Sequence, residues 1–532
     1  MSLQKEISNV LSFISSNGYQ IHPNAFIFLK DIDSNRMNII QQVVKYKKKN
    51  NDNSVISVDD LKFYTCDYNY EIKKNQVENT FKSSSIYRSI KSSINEEKSS
   101  IKDSHKIIFD SSNSINPVEG INGFTSLFNS RFTKLLKILS LRPGSKRINK
   151  IAFVKKNQRI NKYRNKVKTG YNFNQIQDND GLGTNSSVIA GLLMSKRSKR
   201  NSIELTIDDQ TGIINVLAVT DEIIKIVSKL TLDQMIMLEI ENKGTNYVIK
   251  NVVSPDIPDH IPNKSKTESY VALISDLHVG SKYFKEIEFL RFLTWLNSSE
   301  NEVVSKIKFI CICGDLIDGV GIFPNQDKEL KYNNIYKQIN HLTKLLEQIP
   351  KRIQVFVIPG NHDPGRRALP QPAIPIKDSE KLYTFKNFIM LGNPSFIELD
   401  GVKILMYHGQ GLDDVIATIP GLSYSNPAEA MKILLKARHL SPIYGQRTPV
   451  SPEREDMMVI SDIPDILHSG HIHVMDVQNY RGTLIVNSGT WQDQTPFQQT
   501  MGITPTPGIA ILVNLATLRP FQINFNQEYL SM

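Results

Sequence analysis

Five short clusters carry side chains capable of chemistry: Asp276-Leu277-His278, Gly314-Asp315-Leu316-Ile317-Asp318, Gly360-Asn361-His362-Asp363, His408-Gly409 and Gly470-His471-Ile472-His473. Mixed carboxylate, imidazole and carboxamide donors suit Mn2+, Fe or Zn2+ better than Ca2+. If these groups converge away from water, they repel and lose hydration unless a cation compensates them. The donors suffice for two metal ions. Ions ~3.5–4 Å apart can share one carboxylate and make a common water nucleophilic near neutral pH. Each cluster alone is a weak signal, because Asp-Xaa-His arises readily by chance. Five in succession, each closing a strand-like run, are not explained that way.

The runs before these clusters are Tyr270–Ile274, Ile307–Ile312, Ile353–Ile358, Val402–Tyr407 and Ile466–Ser469. They read as buried strands and alternate with helical stretches near Lys285–Leu296 and Tyr332–Leu346, which argues for α/β units. Sites in such sheets assemble at the carboxy ends of strands, so all five clusters are expected at one place. Further runs at Phe396–Leu399, Thr483–Val486, Ile509–Val513 and Phe521–Phe525 are too many for one small sheet and predict two packed sheets. Upstream, five short alternating strands between Ser187 and Pro258, with a helix over Asp221–Leu230 after the third, follow the order of an OB-fold barrel. Only Tyr247 is aromatic in those strands, which disfavours base stacking on the barrel. Before it, Phe124, Leu127, Phe128, Phe132, Leu135, Leu136 and Leu139 mark one face of an amphipathic helix that needs something to pack on. The expected division is a helical domain over 1–72, a flexible Ser-rich linker over 73–118, the lead helix and barrel over 119–260, and the α/β domain over 266–532.

The chain has 532 residues, 40% hydrophobic and 22% charged, an ordinary composition for globular domains. No window approaches the ~18 apolar residues of a membrane span and the start has no apolar signal core, so a cytoplasmic protein is expected. Three cysteines cannot build a disulfide framework; Cys311 and Cys313 lie in an apolar run and read as core thiols. The net charge of +11 is local. Arg131 to Lys168 holds 14 lysines and arginines and no acidic residue, and the remainder carries 50 basic against 53 acidic residues. A phosphate-binding surface is one explanation, with Lys146–Lys168 its best candidate because the earlier part is helical.

The five clusters, in this order, resemble the calcineurin-like metallophosphoesterase superfamily. By that resemblance Asp276, His278, Asp315 and His473 hold one ion, and Asp315, Asn361, His408 and His471 the other, with Asp315 as the bridge. His362 would bind the phosphate or protonate the leaving oxygen, while Asp318 and Asp363 orient their neighbours. Arg366 and Arg367 are either contacts for DNA phosphates or solvated loop charges. The barrel directly before this domain, the Phe-Xaa3-Phe-Xaa2-Arg-Xaa3-Leu helix, Phe323-Pro324-Asn325-Gln326, Pro364 to Pro372 and His408-Gly409-Gln410-Gly411-Leu412-Asp413-Asp414 are similar to the small subunits of archaeal family-D DNA polymerases. These are related to the B subunits of eukaryotic replicative polymerases. The resemblance covers roughly residues 120 to 530. It implies a manganese-supported 3′→5′ exonuclease that proofreads primer ends during DNA replication, with Mg2+, Fe or Zn2+ as other metal choices. It also implies a separate large catalytic polymerase subunit as partner and leaves a sliding clamp as a further candidate. Two other readings stand beside it: a non-catalytic scaffold with vestigial metals, and a free-standing metallophosphatase.

Overall fold

A computed structural model of the chain describes residues 3–30, 36–49, 55–56, 60–61, 104–158, 186–298 and 301–527, in two compact units divided between Glu96 and Glu97. In the first unit, helices Leu3–Ser16, Pro23–Lys30 and Arg36–Lys49 accompany a two-stranded parallel pair, β1 (Gln20–Ile21) and β2 (Val55–Ile56). Val10, Ile14, Leu29, Ile40, Val43 and Ile56 form its core. Residues 62–72 of the expected helical domain and 73–103 of the expected linker lie outside the described residues.

The second unit opens with β3 (His105–Asp110), a departure from the linker expected through residue 118. The short run Ile107-Ile108-Phe109 has strand propensity that the surrounding serines obscured. A barrel follows, made of β4 (Ser186–Lys199), β5 (Ser202–Asp208), β6 (Ile213–Ala218), β7 (Met235–Lys243) and β8 (Asn246–Val253), closed in the order β4-β5-β6-β8-β7. The alternation that betrayed these strands puts Leu193, Leu205, Ile207, Val216 and Leu238 inside. A helix over Asp221–Ser228, capped by the Thr220 side chain, stands between β6 and β7.

The remaining strands are β9 (Tyr270–Ile274), β10 (Ile307–Cys313), β11 (Gln354–Ile358), β12 (Phe388–Met390), β13 (Ser395–Leu399), β14 (Val402–Met406), β15 (Ile466–Ser469), β16 (Met475–Tyr480), β17 (Thr483–Ser488), β18 (Ile509–Asn514) and β19 (Arg519–Asn524). They form two six-stranded sheets, ordered β12-β11-β10-β9-β18-β19 and β16-β17-β15-β14-β13-β3. One core joins them: Leu273, Phe309, Cys311, Cys313 and Phe356 of the first sheet meet Ile397, Ile404, Met406, Ile466 and Val486 of the second. Strands β9 to β12 run parallel, as do β14, β15 and β17. The near-continuous apolar sequence of β10 fits a strand covered on both faces. On the other side of the second sheet, Leu405, Tyr407 and Leu467 pack with Leu412, Val415, Met431 and Leu434 of helices Gly411–Thr418 and Pro427–Ala437.

The amphipathic helix Gly120–Leu139 finds its partner in two places. Phe132, Leu135 and Leu139 pack on Ala190, Leu192, Met235 and Met237 of the barrel and on Val459. Arg131, 1% exposed, donates from Nε to Asp456 Oδ2 at 2.8 Å and from Nη1 to the Pro442 carbonyl at 2.6 Å. His439 Nε2 lies 3.0 Å from the same carboxylate oxygen, and His439 Nδ1 accepts the Ser441 N–H. Lys134 pairs with Glu455, and Arg142 donates to the carbonyls of Pro255 and Asp256. The front of the basic stretch therefore fastens domains together. Lys146, Arg147, Lys150, Lys155 and Lys156 are exposed, and 159–168 lie outside the described residues. No helix among the described residues is long and apolar enough to cross a membrane.

Candidate metal centre

The five clusters sit in the loops that leave β9, β10, β11, β14 and β15. These loops turn sharply. Asp276, His278, Asp315, His471 and His473 all have positive φ, between 49° and 70°. Residues with a side chain seldom adopt that conformation, Asp and His more readily than most; it costs of order 1–3 kcal/mol per residue and persists only where the surroundings enforce it. Two glycines permit the crowding: a Cβ at Gly360 would collide with Asp315 Oδ1, and one at Gly470 with Asp276 Oδ2.

Of three donor groups that result, two match the expected ligands, Asp276 with His278 and His473, and Asp315 with His408 and His471; the third is His278 with Asp318 and His362. His278 Nε2 and His473 Nε2 approach to 3.0 Å, and His473 Nε2 is 3.3 Å from Asp276 Oδ1. Buried Asp276 Oδ1 has no hydrogen-bond partner. On the other side, His408 donates its Nδ1–H to the Cys313 carbonyl at 2.7 Å. Its Nε2 then faces two oxygens, Asn361 Oδ1 at 3.1 Å and Asp315 Oδ2 at 3.3 Å. Asp315 Oδ2 is also 3.7 Å from His278 Nε2, so one carboxylate stands between the two groups.

Electrostatics point the same way. Burial alone would raise the Asp276 carboxyl, but the His278 and His473 rings beside it hold it well below the carboxylate range. Burial would lower His278, yet Asp276, Asp318 and Asp315 drive it up to about 10, and Asp315 chiefly carries His408 up to about 9. Protons on these rings balance the carboxylates. Divalent cations would supply the same compensation and displace those protons, so the residues fit metal ions.

A surrounding layer fixes the rings. His278 donates Nδ1–H to Asp318 Oδ1 at 3.0 Å, and Asp318 accepts from Gln326 and Gln492. His471 lies 3.0 Å from Asp413 Oδ2 through Nε2, and Gln498 is 2.7 Å from His473 Nδ1. Such partners orient ligand imidazoles and set their basicity. Asp363 takes the backbone N–H groups of Leu316, Ile317 and Gly360, tying two site loops together; burial and the Asp315 charge push it up to about 7. His362 donates Nδ1–H to the Asp318 carbonyl at 2.7 Å, while its Nε2 lies 3.9 Å from Asp315 Oδ2.

Above the donors lies a cavity of about 280 Å3, lined by His362, Asp413, Tyr424, Arg447, Phe323 and Phe497 among others. Among the described residues, Arg447 is the one lysine or arginine in its lining. Arg366 is elsewhere engaged: its guanidinium binds the Pro370 carbonyl and pairs at 2.6 Å with the fully buried Glu453. Both faces of its fork thus serve contacts within the protein, so Arg366 is not the solvated loop charge that was the alternative to a DNA contact. Arg367 is exposed and outside the cavity lining. Sequence reasoning passed over Arg447, Gln492 and Gln498. Only the density of glutamines around Trp491 to Gln499 hinted at the last two.

Comparison with known proteins places this arrangement. Residues 271–473 match the family model for the B subunits of DNA polymerases alpha and epsilon. The chain is 39% identical over 370 residues to the DNA polymerase II small subunit of Archaeoglobus fulgidus, covering 68% of this chain and 74% of that protein. The chain belongs to the archaeal family-D polymerase small subunits. Members from Methanothermobacter thermautotrophicus, 34% identical over 78% of this chain and 82% of theirs, and Pyrococcus furiosus, 35% identical over 80% and 68%, match as well. The matched spans exceed the family-model segment, so the small-subunit likeness extends beyond the stretch that carries all five donor clusters.

Proposed function

We propose that this chain is the 3′→5′ exonuclease subunit of a heteromeric archaeal replicative DNA polymerase and removes mispaired nucleotides from primer ends. The observation that supports this reading is the pair of donor groups with Asp315 standing between them, beneath a cavity that His362 and Arg447 also line. Asp276, His278, Asp315 and His473 would hold one divalent ion, and Asp315, Asn361, His408 and His471 a second. When bound, the ions, Mn2+ by the family likeness, would neutralise phosphoryl charge and lower the pKa of a water placed for attack.

The protein's own groups do the rest. Arg447 binds the phosphate of the penultimate nucleotide as a charge-assisted partner. In its imidazolium form His362, with Nδ1–H held by the Asp318 carbonyl, passes its Nε2 proton to the departing 3′ oxygen and takes a proton back from solvent between turnovers; burial lowers its pKa, which favours giving that proton up. The loop glycines Gly360 and Gly470 make room for the Asp315 and Asp276 carboxylates. Within the same proposal the barrel is of the OB type, the two sheets form a metallophosphoesterase domain, and a separate large subunit supplies nucleotide addition.

The test is digestion of matched and mismatched 3′ primers by the chain purified with its large subunit, with and without manganese. The expected result is metal-dependent release of nucleoside monophosphates from 3′ ends, faster at mismatches. His362→Ala should abolish release while metal content and subunit assembly stay as in the wild type. Digestion by the variant at the wild-type rate would remove His362 from the chemistry. A wild-type complex inert on every primer would favour the scaffold reading.

A further inference from the structure

One wall of the cavity is apolar and has no role in holding metal ions or phosphate. Phe323 and Phe497 stack there, with ring centroids 6.2 Å apart and planes 26° from parallel. Phe323 also reaches to 6.5 Å from the His362 ring. Phe497 is 58% exposed and Met501, one turn on, 41% exposed; Ile322 and Ile503 complete the wall. An exposed phenylalanine on a monomer surface is common, but this one is placed with unusual care. It occupies the second position of the helix Pro496–Thr500, whose capping box joins Thr495 and Gln498. Gln498 is the residue in contact with His473 Nδ1. The ring is thus tied by one residue to a metal ligand, and Phe323 backs it from the loop that follows Asp318.

Resting on the exonuclease reading, we propose that Phe497, supported by Phe323, is the stacking platform for the terminal nucleobase, and that the wall accepts any base once it is unstacked from the primer. An aromatic face has no hydrogen-bond pattern, so it binds all four bases with little preference. Selection for errors then comes from the duplex: a mispaired end gives up its base at lower cost than a paired one. This places recognition of the base on the wall, and recognition of the phosphate on Arg447 and the metal ligands.

The test compares, in the manganese-loaded complex of full-length subunits, primers ending in a normal mismatched nucleotide with primers ending in an abasic one. Stacking of one base is worth roughly 5- to 150-fold. The wild type should therefore digest the base-bearing end at least about 5-fold faster in kcat/KM. In Phe497→Ala that ratio should collapse towards one, and in Phe497→Trp it should return, with metal content the same in all three. Equal wild-type rates on the two ends, or a ratio preserved in Phe497→Ala, overturn the platform while leaving the exonuclease in place. A wild type that digests neither end overturns the exonuclease reading, and this inference with it.

Discussion

Single residues in the site divide by what they touch. Asp315 stands between both donor groups, so its loss affects both, whereas Arg447 is exposed at the cavity rim and touches no donor directly. Arg447→Ala should therefore raise KM for primer about tenfold and flatten its salt dependence, since one phosphate contact releases about one counterion. Primer digestion measured across salt concentrations checks this; an unchanged slope would mean that Arg447 meets no phosphate. The donor types were legible in the sequence because each cluster follows an apolar run, and their convergence follows from strand polarity. Arg447 was not legible, because it comes from a loop far from every cluster and only the folded chain brings it to the cavity. The Arg366–Glu453 pair was not legible for a related reason: adjacency to Asn361 and His362 in the chain says nothing about where a guanidinium points.

Among the elements, the helix Gly120–Leu139 shows how a charge run can mislead. Its amphipathic stripe was plain from spacing, but the same spacing carries Arg131 inward, where it meets Asp456 and His439. Arg131→Ala leaves the Asp456 carboxylate buried without its cation, a change expected to cost about 3–5 kcal/mol. Thermal or denaturant melts would reveal it, and a loss under 1 kcal/mol would contradict the buried pairing. The cluster also predicts acid sensitivity. Burial, with the charge of Arg131, lowers His439 to about 4, whereas an unfolded histidine titrates near ~6.5. Below ~6.5 the unfolded chain binds a proton that the folded chain refuses, so stability from this group is full above that pH and drains away as pH falls towards 4. Asp456, held low in the fold, adds a loss of the same sign in more acid solution. Melting temperatures of wild type and His439→Gln between pH 7.5 and 4 test this; the wild type should fall more steeply, and parallel curves would exonerate His439.

At the scale of the whole molecule, five strained backbone positions and a set of opposed carboxylates and imidazoles gather where two sheets meet. Such a centre is stabilised by whatever cation it binds, because binding to the folded chain alone shifts the unfolding equilibrium by about 2.7 kcal/mol at a hundredfold excess over Kd. Manganese should raise the melting temperature, a chelator should reverse the gain, and Asp315→Ala should lower bound metal and most of the shift together. Calorimetry with metal analysis checks both; a melting temperature indifferent to manganese would count against the centre. The two-sheet plan was foreseeable from the number of buried runs. Three of the four edges were not: β12, β16 and β3 are short or half-buried strands whose side chains carry little periodicity, and β3 lies in a serine-rich stretch.

Strand β3 reaches across the chain to close one side of the second sheet, pairing antiparallel with β13 from Ser395↔Asp110 to Leu399↔His105. Removing everything before residue 119 would spare the barrel, the first sheet, the other five strands of the second and every donor, and would look harmless on a domain map. It would also strip β13 of its neighbour and present a row of unsatisfied amides and carbonyls, which invites pairing with another molecule. Such a shortened protein should self-associate on light scattering although its centre is whole. The six residues His105–Asp110 thus act as a guard against aggregation.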